Sequence, residues 1–338
     1  MKLKVRMGII GAGRIGRLHA EHLVLRIPET EVIAISDINV KAAEECASRF
    51  NIPEATGDYA GILNNPEIDA VAVCSSTDTH AQIIEDSAAA GKHIFCEKPL
   101  ALELKIIDRI LTSVRRAGVK LQVGFNRRFD PNFKRIWELI REGRIGTPHI
   151  LKITSRDPSP PPIGYVKVSG GIFLDMMIHD FDMARYLIGS EVDEVFSFGN
   201  VLVDPEIGKA GDIDTAVVSL KFLNGAMGVI DNSRKAVYGY DQRVEVFGSQ
   251  GMAQTENCTP NRVSLATKDS VQEDLPLNFF VERYIESYIN EMRTFVRCMA
   301  ENSDPPVTGI DGRAAVVLGA AAQKSLKEKR PVRLKEIG

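Results

Sequence analysis

Short apolar runs alternate with segments of helical spacing over the first 125 residues, and this alternation limits the possible folds more than any other feature. A continuous apolar run such as residues 70–74 is typical of a strand buried on both faces of a sheet. Strands separated by helices produce a parallel sheet covered by helices on both sides. We therefore predict a doubly wound α/β domain of the Rossmann type over residues 1–125.

The predicted elements of this domain follow the pattern closely. Strands are predicted at residues 5–10, 31–36, 70–74, 92–96 and 120–123, and helices at residues 14–26, 40–50, 103–117 and from the Ser76 region to residue 90.

The pattern changes after residue 126, because strands now follow one another without intervening helices. Such clustering predicts an α+β domain with a mostly antiparallel sheet over residues 126–338. Helices are predicted at residues 131–142, 175–187, 280–300 and 312–327. A segment rich in Pro and Gly, residues 156–171, is interpreted as an ordered loop over a site or as a plain connector.

Composition excludes several classes of protein. Lys and Arg number 42 against 45 Asp and Glu, so there is no basic surface that would indicate nucleic acid binding. No apolar stretch is long enough to span a bilayer, and no signal peptide is recognisable. The five cysteines show no C-x-x-C spacing, which predicts free thiols, no structural zinc and a cytoplasmic location.

A glycine motif, Gly11-Ala12-Gly13-Arg14-Ile15-Gly16, follows the first predicted strand and opens the first predicted helix. In this context the glycines allow a tight turn and a close approach of the backbone to a pyrophosphate. Asp37 ends the next apolar run, where a carboxylate would accept hydrogen bonds from ribose hydroxyls and repel a 2′-phosphate. The motif predicts NAD as the cofactor, although an ordinary glycine turn and a solvated Arg14 are the alternatives.

Two further segments end predicted strands at the same edge of the sheet. Cys74, Ser75, Ser76 and Thr77 follow one strand and could contact the ribose or the pyrophosphate, although Ser76 or Thr77 could also cap the next helix. His80 is either a cofactor contact or structural filler.

Lys98 follows another strand, within Glu97-Lys98-Pro99, and its position favours a role beside the nicotinamide over that of a solvated charge.

Asp175 and His179 are spaced i, i+4, which predicts that they share one face of a helix. The alternatives are an Asp that stabilises a helix start and a satisfied buried His, and Asp180 and Asp182 are nearby candidates. His19 and His22 are predicted to lie on a helix surface. No metal site is predicted.

Several of these motifs together resemble the Gfo/Idh/MocA oxidoreductase family over nearly the whole chain. They are Gly11-x-Gly13-x-x-Gly16 with Asp37, Cys96-Glu97-Lys98-Pro99, the run at residues 124–130, and Asp175-x-x-x-His179. The runs at residues 169–185 and 238–245 look most like the myo-inositol 2-dehydrogenase branch of that family.

The resemblance implies a C-terminal domain built on a large open sheet and a homotetramer or homodimer. It implies Lys98, Asp175 and His179 as the catalytic set. Cofactor contacts are implied at Glu97, Lys98, Asn126 and Arg127, and substrate contacts at Lys98, Arg127, Asp157, Asp175, His179, Tyr238 and Tyr240.

The implied activity is NAD-dependent oxidation of a ring hydroxyl of a cyclic polyol, with the 2-hydroxyl of myo-inositol as the leading candidate. The alternatives are the same chemistry on scyllo-inositol, an aldose or a keto-sugar, and a non-catalytic dinucleotide-binding regulator on the same fold.

Overall fold

A computed structural model describes residues 4–338, and within it the chain forms two compact units. Unit 1 consists of residues up to 129 together with residues 286–316, and unit 2 consists of residues 130–285 together with residues 317–338. The predicted domain boundary between residues 125 and 126 lies close to the point where the chain first passes from unit 1 to unit 2, between residues 129 and 130. The prediction assigns residues 286–316 to the second domain, whereas in the structure this returning segment belongs to unit 1.

The helices and strands are as follows. Up to residue 129 they are β1 (Val5–Ile10), α1 (Arg14–Leu25), β2 (Thr30–Ser36), α2 (Val40–Phe50), β3 (Glu54–Thr56), α3 (Tyr59–Asn64), β4 (Ala70–Val73), α4 (Thr77–Ala89), β5 (His93–Glu97), α5 (Leu104–Ala117), β6 (Leu121–Gly124) and a 3-10 turn (Asn126–Phe129). From residue 130 to 285 they include α6 (Pro131–Arg141), β7 (Pro148–Arg156), α7 (Ile163–Val166), α8 (Gly171–Asp175), α9 (Ile178–Ile188), β8 (Val192–Asn200), α10 (Pro205–Lys209), β9 (Thr215–Phe222), β10 (Met227–Ser233), β11 (Asp241–Gly248), β12 (Gly251–Thr255), β13 (Ser264–Ala266), β14 (Val271–Glu273) and α11 (Phe280–Arg283). The chain ends with α12 (Ile285–Ala300), α13 (Gly309–Glu328), β15 (Val332–Arg333) and a 3-10 turn (Leu334–Glu336).

Unit 1 contains a six-stranded parallel sheet in the order β3-β2-β1-β4-β5-β6, which confirms the predicted doubly wound fold. The chain moves outward from β1 to β3 and then returns to build β4 to β6 on the other side of β1. This reversal lies between β1 and β4. In sheets of this kind, ligands bind beyond the carboxyl ends of the strands at such a reversal.

The returning segment contributes directly to the core of unit 1. Met292 and Phe295 of α12 are fully buried in one apolar cluster with Met7, Ile9 and Phe95 of the sheet. Burial of these side chains removes apolar surface from water, which explains why α12 belongs to unit 1.

Unit 2 contains a seven-stranded sheet in the order β12-β11-β7-β10-β9-β8-β15. All neighbouring strands are antiparallel except β7 and β10, which run parallel. The prediction of a mostly antiparallel sheet is confirmed. Because β7 and β10 are parallel, their carboxyl ends reach the same edge of the sheet, and β11 begins at that edge.

The helix predicted at residues 175–187 is broken in two, and the prediction that Asp175 and His179 share one face of a continuous helix is wrong. Asp175 ends α8, and His179 lies in the first turn of α9. The amides of Met176 and Met177 both donate to the carbonyl of Ile172, at 3.1 and 2.9 Å. The second bond spans five residues, a π-type turn that interrupts regular helical geometry.

None of the helices formed by residues 4–338 has the length and apolar character needed to cross a membrane. All five cysteines are free thiols, as predicted.

Candidate functional site

The glycine loop between β1 and α1 is shaped by two positions that admit no side chain. Gly11 has a φ of +104°, and a Cβ there would lie 2.6 Å from the backbone of Cys74. At Gly16 a Cβ would lie 1.8 Å from the carbonyl oxygen of Gly11. These contacts bring the loop against the end of β4 and bring α1 against the loop.

Gly13 differs from Gly11 and Gly16 because a Cβ there would meet no atom of residues 4–338 within 4 Å beyond its own chain neighbours. Gly13 is also the N-cap residue of α1, and it offers no side chain to cap the first turn. The first amides of a helix favour an anion when no side chain satisfies them. The loop therefore leaves room beside Gly13 for a phosphate, with Arg14 and Ile15 in the first turn.

Asp37 holds the glycine loop in place. Its Oδ2 accepts a hydrogen bond from the amide of Ala12 at 2.7 Å, and its Oδ1 accepts one from the amide of Asn39 at 2.8 Å. Each carboxylate oxygen has a second lone pair, so these bonds are compatible with the predicted contacts to ribose hydroxyls.

The polar residues that follow β4 contact one another more than they cap the next helix. Ser75 Oγ and Thr79 Oγ1 are 2.7 Å apart. Ser76 occupies the N-cap position of α4, but its side chain makes no capping hydrogen bond, so the capping alternative is not supported for Ser76. Cys74 is buried, and burial raises the pKa of its thiol well above the ordinary value. Ser75, Ser76 and Thr77 lie beside the reversal of the sheet, where cofactor contacts are predicted.

His80 is buried between two backbone carbonyl groups. Its Nδ1 lies 2.8 Å from the oxygen of Pro99, and its Nε2 lies 3.1 Å from the oxygen of Ser75. Burial lowers the pKa of His80. The ring therefore links the segment after β4 to the segment after β5, which favours the structural alternative over a cofactor contact.

Lys98 directly follows β5 and is half-buried, and the Lys98–Pro99 peptide is cis. The preceding carboxylate, Glu97, is directed into the interior, where its Oε1 lies 2.7 Å from Nε2 of His19. A cofactor contact by Glu97 would therefore have to come from its backbone.

The prediction that His19 and His22 lie on a helix surface is wrong. His19 has no exposed surface and His22 retains 4 %. The cause is that α1 turns this face toward the interior of unit 1.

The residues after β6 suit an adenine dinucleotide as well. Asn126 is buried, and its Nδ2 has no hydrogen-bond partner among the described residues. A buried amide without a partner costs free energy, and a bound polar ligand would remove that cost. The space beside Gly13 and this amide both fit the predicted NAD, and the neighbouring Arg127 is buried too.

Two predicted site residues of unit 2, Asp157 and Asp175, form ion pairs with an arginine that no motif of the sequence indicates. Arg234 is 3 % exposed, and its Nη2 lies 2.9 Å from Oδ2 of Asp175. Its Nη1 lies 3.5 Å from Oδ2 of Asp157. Burial acts to lower the pKa of Arg234, but the two carboxylates raise it overall. Arg234 is therefore a charged guanidinium between two predicted site residues.

Sheet topology explains why the sequence alone does not identify Arg234 as a site residue. Asp157 directly follows β7 and Arg234 directly follows β10, so the parallel pairing of these strands brings the two residues together. Only the position of Arg234 at the end of a predicted strand could have indicated it.

Asp175 has a further partner in the loop rich in Pro and Gly. The hydroxyl of Tyr165 donates to Oδ1 of Asp175 at 2.8 Å. Burial, the charge of Asp175 and this bond raise the pKa of Tyr165, so the hydroxyl keeps its proton. The loop is therefore ordered against a predicted site residue, which favours the first of its two interpretations.

The remaining candidates of unit 2 differ in their surroundings. The hydroxyl of Tyr238 donates to Asp241 at 2.6 Å and accepts from Arg156 at 3.0 Å. Tyr240 is buried and packs edge-on against Tyr284. His179 is half-buried at the start of α9, whereas the alternatives Asp180 and Asp182 are fully buried within that helix.

Comparison with known proteins defines the family. Residues 5–125 match an oxidoreductase family with an NAD-binding Rossmann fold, and residues 133–254 match the GFO/IDH/MocA C-terminal domain. The chain belongs to the Gfo/Idh/MocA oxidoreductase family. The resemblance stated from the sequence is thereby confirmed, and so, at the level of the family, is NAD as the cofactor.

Within the Gfo/Idh/MocA family the chain is similar to proteins that act on inositols. It is 52% identical to myo-inositol 2-dehydrogenase of Thermotoga maritima, over 98% of this chain and 99% of that protein. It is 45% identical to inositol 2-dehydrogenase of Rhizobium meliloti, over 98% of this chain and 99% of that protein. It also resembles the structure of scyllo-inositol dehydrogenase from Lactobacillus casei with bound NAD(H) and scyllo-inositol. The TM-score is 0.92 and the identity 28%, over 98% of this chain and 99% of that one.

Proposed function

We propose that this protein is an NAD-dependent dehydrogenase that oxidises a ring hydroxyl of a cyclic polyol. The leading substrate is myo-inositol, and the product would be 2-keto-myo-inositol. The observation that carries the proposal is the identity of 52% with a myo-inositol 2-dehydrogenase along nearly the full length of both chains. Scyllo-inositol is the second candidate, because a relative named for that substrate shares the fold.

The chemistry of unit 2 supports a polyol as the substrate. Asp157, Asp175 and Arg234 form a buried or half-buried polar group at one edge of the sheet, and the exposed Tyr165 donates a hydrogen bond to Asp175. A polyol presents many hydroxyls and little apolar surface, and each hydroxyl left unpaired in a pocket would cost about 1–3 kcal/mol. Charged donors and acceptors with fixed positions would therefore discriminate between stereoisomers. Arg127, Tyr238 and Tyr240 remain predicted contacts to the substrate.

In the proposed reaction a ring nitrogen of His179 takes the proton of the substrate hydroxyl as a general base. The bound nicotinamide supplies the acceptor for the hydride that leaves the same carbon. Asp175 would favour the charged form of His179, and its own carboxylate is held by Tyr165 and Arg234. Lys98 would donate a hydrogen bond to the reacting oxygen and stabilise its developing negative charge.

Initial rates across a panel of substrates test the activity. Myo-inositol, scyllo-inositol and common aldoses are offered with NAD and with NADP, and a keto-sugar with each reduced cofactor. We expect the highest kcat/KM for myo-inositol with NAD, because Asp37 would repel the 2′-phosphate of NADP. If the protein oxidised only an aldose, that aldose would replace inositol as the proposed substrate. Dinucleotide binding without any turnover would favour the non-catalytic regulator.

Two variants test the roles of the proposed catalytic residues. Lys98→Met and His179→Asn are each expected to lower kcat at least about 100-fold. The first removes the stabilisation of the negative charge on the reacting oxygen, the second removes the general base, and each loss usually has an effect of that size. Binding of NAD, measured by titration calorimetry, should change little in His179→Asn. Near-normal turnover in either variant would contradict the role of that residue.

We also propose that the protein is a cytoplasmic homotetramer, or a homodimer. The free cysteines support a reducing compartment. One face of the unit 2 sheet carries exposed large apolar side chains, which support association between copies of the chain. They include Phe198, Met227, Phe247 and Met252.

A further inference from the structure

A buried polar group in unit 1 has no part in the proposed reaction. It consists of His19 on α1, Glu97 at the end of β5 and Glu291 on α12, and we refer to it as the His-Glu-Glu group. The side chains of His19 and Glu97 are 0% and 15% exposed, and Glu291 is fully buried. One ligand atom from each residue lies within 4.8 Å of the other two. Two carboxylates and one imidazole therefore share the same small volume.

The carboxyl group of Glu291 is in an unusual position. Neither of its oxygens has a hydrogen-bond partner among residues 4–338, whereas its backbone carbonyl accepts a hydrogen bond from Gln122. An ionised carboxylate in such surroundings costs far more free energy than a protonated carboxyl group does. Burial, reinforced by the charge of Glu97, raises the pKa of Glu291 well above the ordinary value. Burial and the neighbouring carboxylate thus both favour the neutral, protonated form of Glu291.

The distance between His19 and Glu97 favours a proton over a metal ion in this group. Nε2 of His19 and Oε1 of Glu97 are 2.7 Å apart, which is the length of a charge-assisted hydrogen bond. Two ligands of a tetrahedral zinc ion, each about 2.0–2.1 Å from the metal, lie roughly 3.3 Å apart. The two atoms are closer together than two ligands of a tetrahedral zinc ion, and they are well placed to share a proton.

The surroundings fix both members of this pair. The ring of His19 packs edge-on against Phe95 and Tyr288, with centroids 5.1 and 5.7 Å apart. Glu97 lies so close to β6 that a Cβ at Gly124 would come within 2.9 Å of its Oε2. The side chain of Glu97 therefore packs closely against β6, and its backbone is bonded directly to that of Lys98.

We propose that His19 is a positioning residue for Lys98: His19 holds the Glu97 carboxylate by a hydrogen bond, and Glu291 beside this pair is a neutral acid that adds no second negative charge. The end of β5 is thereby fixed, and Lys98 is presented in one position. This inference rests on the proposed catalytic role of Lys98.

Steady-state kinetics and NAD affinity are measured for His19→Leu and His19→Gln. The leucine variant removes the donor to Glu97, whereas the glutamine amide can still donate. We expect His19→Leu to lower kcat roughly 10- to 100-fold, because a small misplacement of a reacting group has effects of that size. The dissociation constant of NAD should stay within about threefold, and His19→Gln should recover most of kcat. Unchanged kcat in His19→Leu, or equal losses in the leucine and glutamine variants, would overturn the proposal.

His19→Leu could fail to fold, because it leaves the Glu97 carboxylate buried without its partner. The double variant His19→Leu with Glu97→Gln no longer leaves a carboxylate without its partner and should fold, and it should keep the low kcat. Recovery of normal kcat in this double variant would contradict the positioning role.

Glu291→Gln is the test of the neutral acid. A glutamine has the shape and the charge of a protonated glutamate, so kcat and the unfolding midpoint should stay near those of the parent protein. In infrared difference spectra between the parent and this variant, the carbonyl band of a protonated carboxylic acid should be lost. A carboxylate band in its place, or a stoichiometric metal ion in the purified protein, would overturn the proposal. The spectroscopic result does not depend on turnover, so an inactive parent protein would contradict the proposed function and leave this test of the group intact.

Discussion

Arg234 is the buried cation at the centre of the unit 2 polar group. It lies between Asp175 and Asp157, so at the residue scale two carboxylates depend on one buried charge. A buried ion pair adds little net stability compared with apolar residues, but removal of one partner leaves an uncompensated charge.

Arg234→Met is therefore expected to destabilise unit 2 by about 3–5 kcal/mol, because both carboxylates lose their buried cation. Urea unfolding followed by circular dichroism measures the change. Arg330→Met is the control, because Arg330 forms exposed ion pairs with Glu328 and Glu336 and should matter little. Equal midpoints for the two variants would contradict the importance of the buried pair.

His22 gives unit 1 a pH-dependent stability. Burial, with the nearby charges of His19 and Arg26, lowers its pKa from 6.5 to about 4. Below pH 6.5 the unfolded chain binds a proton at His22 that the folded chain does not, so stability should fall as the pH drops from 6.5 to about 4.

The expected loss of stability on acidification is smaller in His22→Leu, which has no group to titrate. Thermal unfolding at a series of pH values between 7 and 4.5 would measure it. His149→Gln, a change at an exposed histidine, should keep the parental dependence. If His22→Leu loses stability as steeply as the parent protein, another group is responsible.

At the scale of elements, the glycines of the loop between β1 and α1 have different roles, some in folding and one in the predicted binding of the cofactor. Gly11 and Gly16 have backbone atoms where a Cβ would have to lie, whereas a Cβ at Gly13 would be in contact with none of the described residues except its chain neighbours. The three glycines of one motif should thus respond differently to the same substitution.

Gly13→Ala is expected to fold normally and to lose NAD affinity, because its methyl group would occupy the space proposed for the phosphate. Gly16→Ala should instead lower the unfolding midpoint, since its Cβ would overlap the carbonyl of Gly11. Calorimetric titration with NAD and thermal unfolding distinguish the two outcomes. Unchanged NAD affinity in Gly13→Ala would place the pyrophosphate elsewhere.

A comparison of two helical regions shows which parts of the secondary structure a local sequence pattern can predict. The predicted helix at residues 40–50 agrees with α2, because its apolar spacing alone determines its buried face. The break between α8 and α9 is not visible in the same kind of pattern, because buried apolar residues lie on both sides of it, from Ile172 to Leu174 and from Met176 to Ile178. A π-type turn changes hydrogen bonding without changing which residues are apolar.

At the scale of the whole molecule, the exposed face of the unit 2 sheet predicts association. Met227 and Phe247 are 56% and 45% exposed. The double variant Met227→Lys with Phe247→Glu should lower the mass measured by light scattering toward that of a monomer, because charges disfavour burial at an interface. Leu25→Glu, at an exposed apolar residue of α1, is the control. An unchanged mass in the double variant would exclude this face as the interface.

The sequence by itself determined the features that depend on neighbouring residues. The alternation of apolar runs and helices determined the parallel sheet, and the ends of its strands determined where the glycine loop, Asp37 and Lys98 lie. Only the tertiary structure decided which residues from distant parts of the chain meet. His19 and Glu97 are 78 residues apart, and Arg234 reaches Asp157 because β7 and β10 pair in parallel. Such pairs depend on strand order and helix packing, which are properties of the folded chain that no local pattern of residues specifies.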